Sequence, residues 1–156
     1  MQTRPVRESH ALMTELVLPN DTNQLGVLLG GRLMHWIDIV AAISARRHSG
    51  HVCVTASVDK IEFHHPIRLG EVVTLRACVN RAFRTSMEVG VRVTAEALQP
   101  FSRQTANEAF LTFVAVDEHG RPVPVPPIVP ETEEEKKHYD EALSRREVRL
   151  QRRPAG

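Results

Sequence analysis

The sequence predicts an α+β fold in which an antiparallel β-sheet wraps around one long buried helix, with a charged helical tail behind it. An apolar run of helix length lies early in the chain, and strand-length alternations of apolar and polar residues follow it. The later strands are joined by only a few residues, which favours antiparallel neighbours. With 156 residues the chain has room for a single domain with a hydrophobic core. We place that domain at residues 1–130, including a Pro-rich arm at 121–130, and the tail at 131–156.

Residues 1–10 are polar and carry no period, whereas Leu12 to Leu18 are rich enough in Leu, Met and Val for a first strand. A turn-rich loop covers Pro19 to Leu25. The helix runs from Gly30 to Arg47 and stops near Ser49-Gly50, as helices commonly do at glycine. Leu33, Met34, Trp36, Ile37, Ile39, Val40, Ala41, Ala42, Ile43 and Ala45 leave it almost no polar face, so it reads as buried. One sheet covers only one side of such a helix, and a partner subunit is expected to supply the rest.

From Val52 the apolar face of the next strand is Val52, Val54, Ala56 and Val58. The phase then slips to Ile61 and Phe63, which predicts a β-bulge at Asp59-Lys60. Pro66 to Gly70 is a turn. Val73, Leu75, Ala77 and Val79 then alternate with Thr74, Arg76, Cys78 and Asn80, and Met87 to Ala97 alternates with Ser86 to Glu96, giving strands buried on one side. Ala109 to Val116 is apolar on nearly both faces, as a central or interface strand would be. The prolines of the arm bar it from a central strand, and it is expected along a surface. In the tail, Thr132 and Glu135 form a capping box, acids crowd the first turn and arginines the last. Tyr139, Ala142, Leu143 and Leu150 make only a narrow apolar stripe, so this helix reads as weakly docked or free in solvent.

Twenty Lys and Arg against nineteen Asp and Glu give a formal net charge of +1, which does not argue for nucleic-acid binding. The basic tail (Arg145, Arg146, Arg149, Arg152, Arg153) carries no interleaved aromatics and reads as a solvated face or a partner contact. No apolar run approaches the ~18 residues of a membrane span. Cys53 and Cys78 fall in strands with no secretory leader before them, which suggests reduced thiols in a cytoplasmic protein. The pairs His64-His65 and His48/His51 have poor geometry for one shared ion, since adjacent strand residues face opposite ways, and no metal or cofactor is expected.

The most informative stretch is Pro19-Asn20-Asp21-Thr22-Asn23-Gln24-Leu25-Gly26-Val27-Leu28-Leu29-Gly30-Gly31, leading into a helix whose apolar run is interrupted by Asp38. Two glycines at a helix start allow a ligand close to the backbone, where first-turn amides lack intrahelical partners and can hold a developing oxyanion. A carboxylate in apolar company is costly unless paired, and such groups concentrate where chemistry is done. The plainer readings are a capping carboxylate at Asp38, a loop-stabilising Asn23 and a packing glycine pair.

Those residues, with Met34-His35-Trp36-Ile37-Asp38, Phe63-His64-His65-Pro66-Ile67, Gly70-Glu71-Val72-Val73, Arg84-Thr85-Ser86-Met87 and Phe113-Val114-Ala115-Val116-Asp117, resemble the signature of hot-dog-fold acyl-CoA thioesterases of the cytosolic acyl-CoA hydrolase family, bacterial and brain-type. The resemblance implies hydrolysis of fatty acyl-CoA to free fatty acid and coenzyme A, without a cofactor. It implies a homodimer with active sites between subunits, and hexamers built from three dimers. By position it makes Asn23 and Asp38 the catalytic pair, each meeting the other's residue across the dimer, with the Gly30 and Gly31 backbone as oxyanion donors and Arg84, Thr85 and Ser86 against coenzyme A. Asp38 would activate water or attack directly to form an anhydride. A non-catalytic acyl-CoA-binding protein and a hot-dog dehydratase using His35 as base are the alternatives. Trp36, Met34, Phe63 and Met87 are expected to set pocket depth.

Overall fold

The computed structural model describes residues 1–59, 61 and 63–152; Lys60 and Arg153, on which two of the expectations above fall, lie outside the described residues. The elements are β1 (Arg4–Pro5), β2 (Ala11–Leu16), α1 (Gly30–Ser49), β3 (Val52–Val58), β4 (Val72–Ala82), β5 (Ser86–Leu98), β6 (Phe101–Val116), β7 (Ile128–Val129) and α2 (Glu133–Gln151). Strands β2, β4, β5, β6 and β3 form, in that order, one five-stranded sheet, antiparallel throughout. The sheet curls around α1. Leu33, Trp36, Ile37, Val40, Ala41 and Ala45 turn from the helix into a core shared with Val73, Leu75, Val79, Met87, Val89, Leu111 and Phe113. Gly50 ends α1 in the left-handed region, φ 73°, where a side chain would be strained.

Sequence and structure part over α1 and β3. The helix is buried on its sheet side only: Arg32, His35, Arg46 and Arg47 are exposed and Ile43 stands among them. On β3 the apolar alternation faces away from the helix, with Val52, Val54 and Val58 exposed by 66, 48 and 41%. Cys53 and Thr55 face inward instead, onto Ser49 and Asp38. β3 is an edge strand, and its valines are left largely uncovered. A register shift in β3 lies between Thr55 and Ser57, and pairing continues past it to Asp59, whose N–H donates to the Phe110 carbonyl at 2.8 Å; the bulge expected at Asp59-Lys60 falls partly outside the described residues. Strand β6 begins eight residues earlier than expected, at Phe101, so that β5 and β6 form one long hairpin.

The two ends of the chain close the core together. Residues 1–10, featureless by period, bury Val6 and Ser9; the Ser9 hydroxyl donates to the Val6 carbonyl at 2.6 Å and accepts from Val79 N–H at 2.9 Å. The Pro-rich arm does more than lie along a surface. It buries Val125, Pro126 and Ile128, pairs β7 with β1, and places the Pro126 carbonyl 2.6 Å from Nε2 of His48 at the end of α1. A carbonyl only accepts, so Nε2 carries the proton and Nδ1, buried without a partner, does not. Burial pulls the His48 pKa below its ordinary 6.5, the Pro126 bond opposing and Arg4 assisting. Below pH 6.5 the unfolded chain therefore binds a proton that the folded chain resists, so stability is complete above that pH and declines as pH falls toward the folded value. Thermal midpoints at pH 7.5 and pH 5.5 are expected to differ less in His48→Gln than in the wild type.

Helix α2 is firmly seated on the outer face of the sheet, contrary to its weak apolar stripe. Thr132 and Glu135 form the capping box. Arg145 grips the fully buried Glu88 carboxylate with two bonds, Nε to Oε1 at 2.7 Å and Nη2 to Oε2 at 2.9 Å, while Asn80 donates to Oε2 at 3.0 Å. The same guanidinium lies 3.8 Å over the Phe110 ring; Arg146 covers Phe83, and Arg81 covers Tyr139 while donating to its carbonyl. Arg149 pairs with Asp59 at 3.2 Å. Arginine planes and stems cover apolar surface that a count of apolar residues misses. A Cβ at Gly90 would come within 2.7 Å of the Asn80 amide nitrogen and push it from its place beside Glu88.

Candidate active site

Asp38 sits two turns into α1, half-buried, on the helix face that β3 overlies. Its Oδ1 accepts the Thr55 hydroxyl at 2.7 Å. That bond orients the carboxylate and leaves Oδ2 for another partner. Thr55 was not singled out from sequence, because a threonine among exposed-type positions of a strand has no periodic signature; only the pairing of β3 against α1 reveals it.

Asn23 lies at the exposed tip of the loop before α1. Its Oδ1 accepts two backbone N–H groups, Leu25 at 2.9 Å and Val27 at 3.1 Å, and its own N–H donates to the Val27 carbonyl at 2.9 Å. The turn closes through Gly26, whose φ of 72° suits glycine. The loop-stabilising reading of Asn23 therefore holds, and it has a chemical consequence: with the oxygen committed to the loop, the side-chain Nδ2 is presented outward as a donor. The loop is anchored to the helix start by Leu29 N–H on the Asp21 carbonyl and by Arg32 against Asp21 at 3.2 Å.

The amides of Gly30 and Gly31 open α1 with no side-chain cap and no acceptor among the described residues. Over Gly30 lies the half-exposed Phe63 ring, 3.5 Å from where a Cβ would stand. Among the described residues, nothing lies within 4 Å of where a Cβ on Gly31 would stand. These amides and Asp38 share a helix face, but seven or eight residues of helix separate them by about 11 Å along the axis. One thioester carbonyl cannot touch both within one chain.

Arg84 and Thr85 lie in the β4–β5 turn and Ser86 opens β5. Arg84 is exposed, its carbonyl held by Val125 N–H at 2.9 Å, and the Ser86 hydroxyl accepts from Arg146 at 3.5 Å under α2. Ser86 thus faces the outer side of the sheet while Asp38 lies against the inner side, so the structure does not bring the turn and the carboxylate together in one chain. Trp36 and Met87 are buried in the core, whereas Met34 is half-buried and Phe63 exposed. His35 is exposed and makes no hydrogen bond among the described residues. Both thiols are half-buried and unpaired, and burial, followed by Glu135 and Glu134, pushes Cys78 up to about 11. Among the described residues no cluster of His, Cys, Asp and Glu has metal-binding geometry, and no helix is long and apolar enough to cross a membrane.

The sequence pattern of the thioesterase superfamily matches residues 25–99. An uncharacterised acyl-CoA thioester hydrolase of Bacillus subtilis is 45% identical over 97% of this chain and 88% of its own length. The cytosolic acyl coenzyme A thioester hydrolase of Rattus norvegicus is 42% identical over 90% of this chain, which spans 37% of that longer protein. Among solved structures, an apo-hexameric acyl-CoA thioesterase superposes with a TM-score of 0.94 at 45% identity, covering 97% of both chains. An acyl-CoA hydrolase of Staphylococcus aureus, in complex with butyryl coenzyme A and coenzyme A, superposes with a TM-score of 0.90 at 39% identity over 96% of this chain and 92% of that one. Variants of the latter carry alanine in place of an asparagine, an aspartate and a threonine spaced 15 and 17 residues apart. Asn23, Asp38 and Thr55 have the same spacing.

Proposed function

The chain belongs to the acyl-CoA thioester hydrolases of the thioesterase superfamily, with their hot-dog fold, and from that premise we propose that it hydrolyses fatty acyl-CoA to free fatty acid and coenzyme A, with Asp38 as general base. The observation that carries the reading is the oriented, half-buried Asp38 carboxylate, bonded through one oxygen to Thr55. Its other oxygen takes a proton from water as the water adds to the thioester carbonyl carbon. The carbonyl oxygen becomes an oxyanion, for which Asn23 Nδ2 and the Gly30 and Gly31 amides are the donors. Collapse expels the coenzyme A thiolate, which is protonated to the thiol, and leaves the carboxylic acid.

The axial gap between the glycine amides and Asp38 favours a site shared between two subunits, with Asn23, Gly30 and Gly31 from one and Asp38 from the other. The exposed valines of edge strand β3 are the surface for that dimer. Three such dimers would form the hexamer, an assembly the apo-hexameric relative also adopts. Arg84 and Thr85 are the candidate contacts to the nucleotide end of coenzyme A, Arg84 by charge. A cytoplasmic location accords with the rat relative's name.

Thiol release from acyl-CoAs of increasing chain length, followed with a disulfide reagent, is the test. Thiol and free acid in equal amounts are expected. Enoyl product without thiol would replace hydrolysis by dehydration, and tight binding without turnover would make the chain an acyl-CoA carrier.

A further inference from the structure

Helix α1 starts without the group that ordinarily closes a helix N-terminus. Its N-cap is Leu29, whose backbone is extended as a cap's is, but whose side chain offers the first-turn amides no acceptor. No acid stands in the first turn either, and Arg32 places a cation there, against the helix dipole. Local rules given up together at one place mark a functional constraint.

The missing negative charge comes from the preceding loop. The Asp21 side chain is only 15% exposed; its Oδ1 lies 3.2 Å from Nε of Arg32, and its Oδ2 accepts Leu18 N–H at 2.9 Å. The Asp21 carbonyl accepts Leu29 N–H at 2.9 Å. Val17, next to Leu18, exchanges backbone bonds with Glu71 and Gly70, so the anchor is the chain entering β4. One residue thus ties that anchor to the helix start and stands two positions before Asn23. Both its carboxylate oxygens are committed to Leu18 and Arg32, so it serves the helix start without covering the Gly30 and Gly31 amides. Arg32 is 41% exposed, and so open an ion pair contributes little to stability; its use is geometric.

We propose that Asp21 is a positioning residue for thioester hydrolysis, an inference that rests on the acyl-CoA reading above. Through Arg32 and Leu18 it holds the Asn23 loop against the start of α1, so that Asn23 Nδ2 and the glycine amides meet one oxyanion. It does so in place of an N-cap, whose side chain would compete for the Gly31 amide.

Two kinds of variant of the full chain test this. Asp21→Asn keeps an oxygen for Leu18 N–H and loses the charge toward Arg32. Thiol release from an acyl-CoA is expected to fall about tenfold in kcat with KM unchanged, because displaced oxyanion donors fail in the transition state rather than in the bound substrate. In an Asn23→Ala background the same substitution should cost under about twofold, since the group it positions is gone. Leu29→Asn supplies the missing cap, with Leu29→Ala, which caps nothing, as its reference. Relative to that reference the thermal midpoint should rise by about 2–4 °C while kcat falls about tenfold. The role is overturned if Asp21→Asn turns over like the wild type, or if its loss persists undiminished beside Asn23→Ala. A loss confined to KM that shrinks at high salt would overturn it too, placing the ion pair on the phosphates of coenzyme A. Leu29→Asn as active as its alanine reference would overturn the competition for the Gly31 amide. A wild type that releases no thiol from any acyl-CoA would overturn the hydrolase reading and this role together; normal turnover with unaffected variants would overturn the role alone.

Discussion

Replacing Asp38 with alanine is expected to lower thioester hydrolysis by about 10³-fold, within the usual range for removing a general base. The fold should survive. Asp38 is only half-buried, and the Thr55 hydroxyl bonded to it is on an exposed strand and can turn to water. Circular dichroism and the thermal midpoint should match the wild type while thiol release collapses. Asn23→Ala should also lose activity, through the oxyanion donor. Mixing the two inactive variants then tests whether the site is shared between subunits. In a mixed dimer, one site combines both substitutions and the other neither, so random mixing should restore about a quarter of wild-type activity if subunits exchange. If Asn23 and Asp38 served the same site within one chain, the mixture would stay inactive. Thr55→Val should act through Asp38 as a positioning change, costing about 10-fold or more in kcat, the usual worth of a hydrogen bond to a charged group.

Arg145→Ala is expected to cost about 3–5 kcal/mol of folding stability, because it strands a buried carboxylate. Glu88 is 1% exposed, and Asn80 bonds to it beside Arg145. Such a loss is a large share of the ~5–15 kcal/mol that holds a domain folded. Helix α2 would lose its central fastening on Phe110 together with the ion pair. The double variant Glu88→Met, Arg145→Met should recover most of the loss, since removing both charges removes the desolvation penalty along with the attraction. Urea titrations of the single and double variants measure both effects. A single variant within 1 kcal/mol of the wild type would mean that α2 leaves the sheet easily and that water reaches Glu88.

Both expectations depend on features that differ in how far the sequence exposes them. Asp38 is visible as one carboxylate in an apolar helix, and the helix itself is legible because its glycine start, apolar stripe and Gly50 stop are local signals. The one-sided strands β4 and β5 follow from alternation in the same way, as does the capping box of α2. The seat of α2 was not legible. Glu88 and Asn80 stand in the polar rows of their strands, and nothing in either row distinguishes a carboxylate facing water from one facing Arg145 fifty-seven residues later.

Taken alone, the sequence determined the order and kind of the five strands of the main sheet and the two helices, but not the β1–β7 pair, and it determined the position of the carboxylate and the glycine-rich entry to its helix, because capping, periodicity and turn chemistry act over a few neighbouring residues. Tertiary structure alone decided which way β3 faces, that Thr55 meets Asp38, and that Ser86 and Asp38 lie on opposite sides of the sheet. These are properties of opposed surfaces. Valines on an edge strand satisfy the same alternation whether they meet their own helix or a partner, and only the packing of the chain against itself shows which surface is already filled and which is left open.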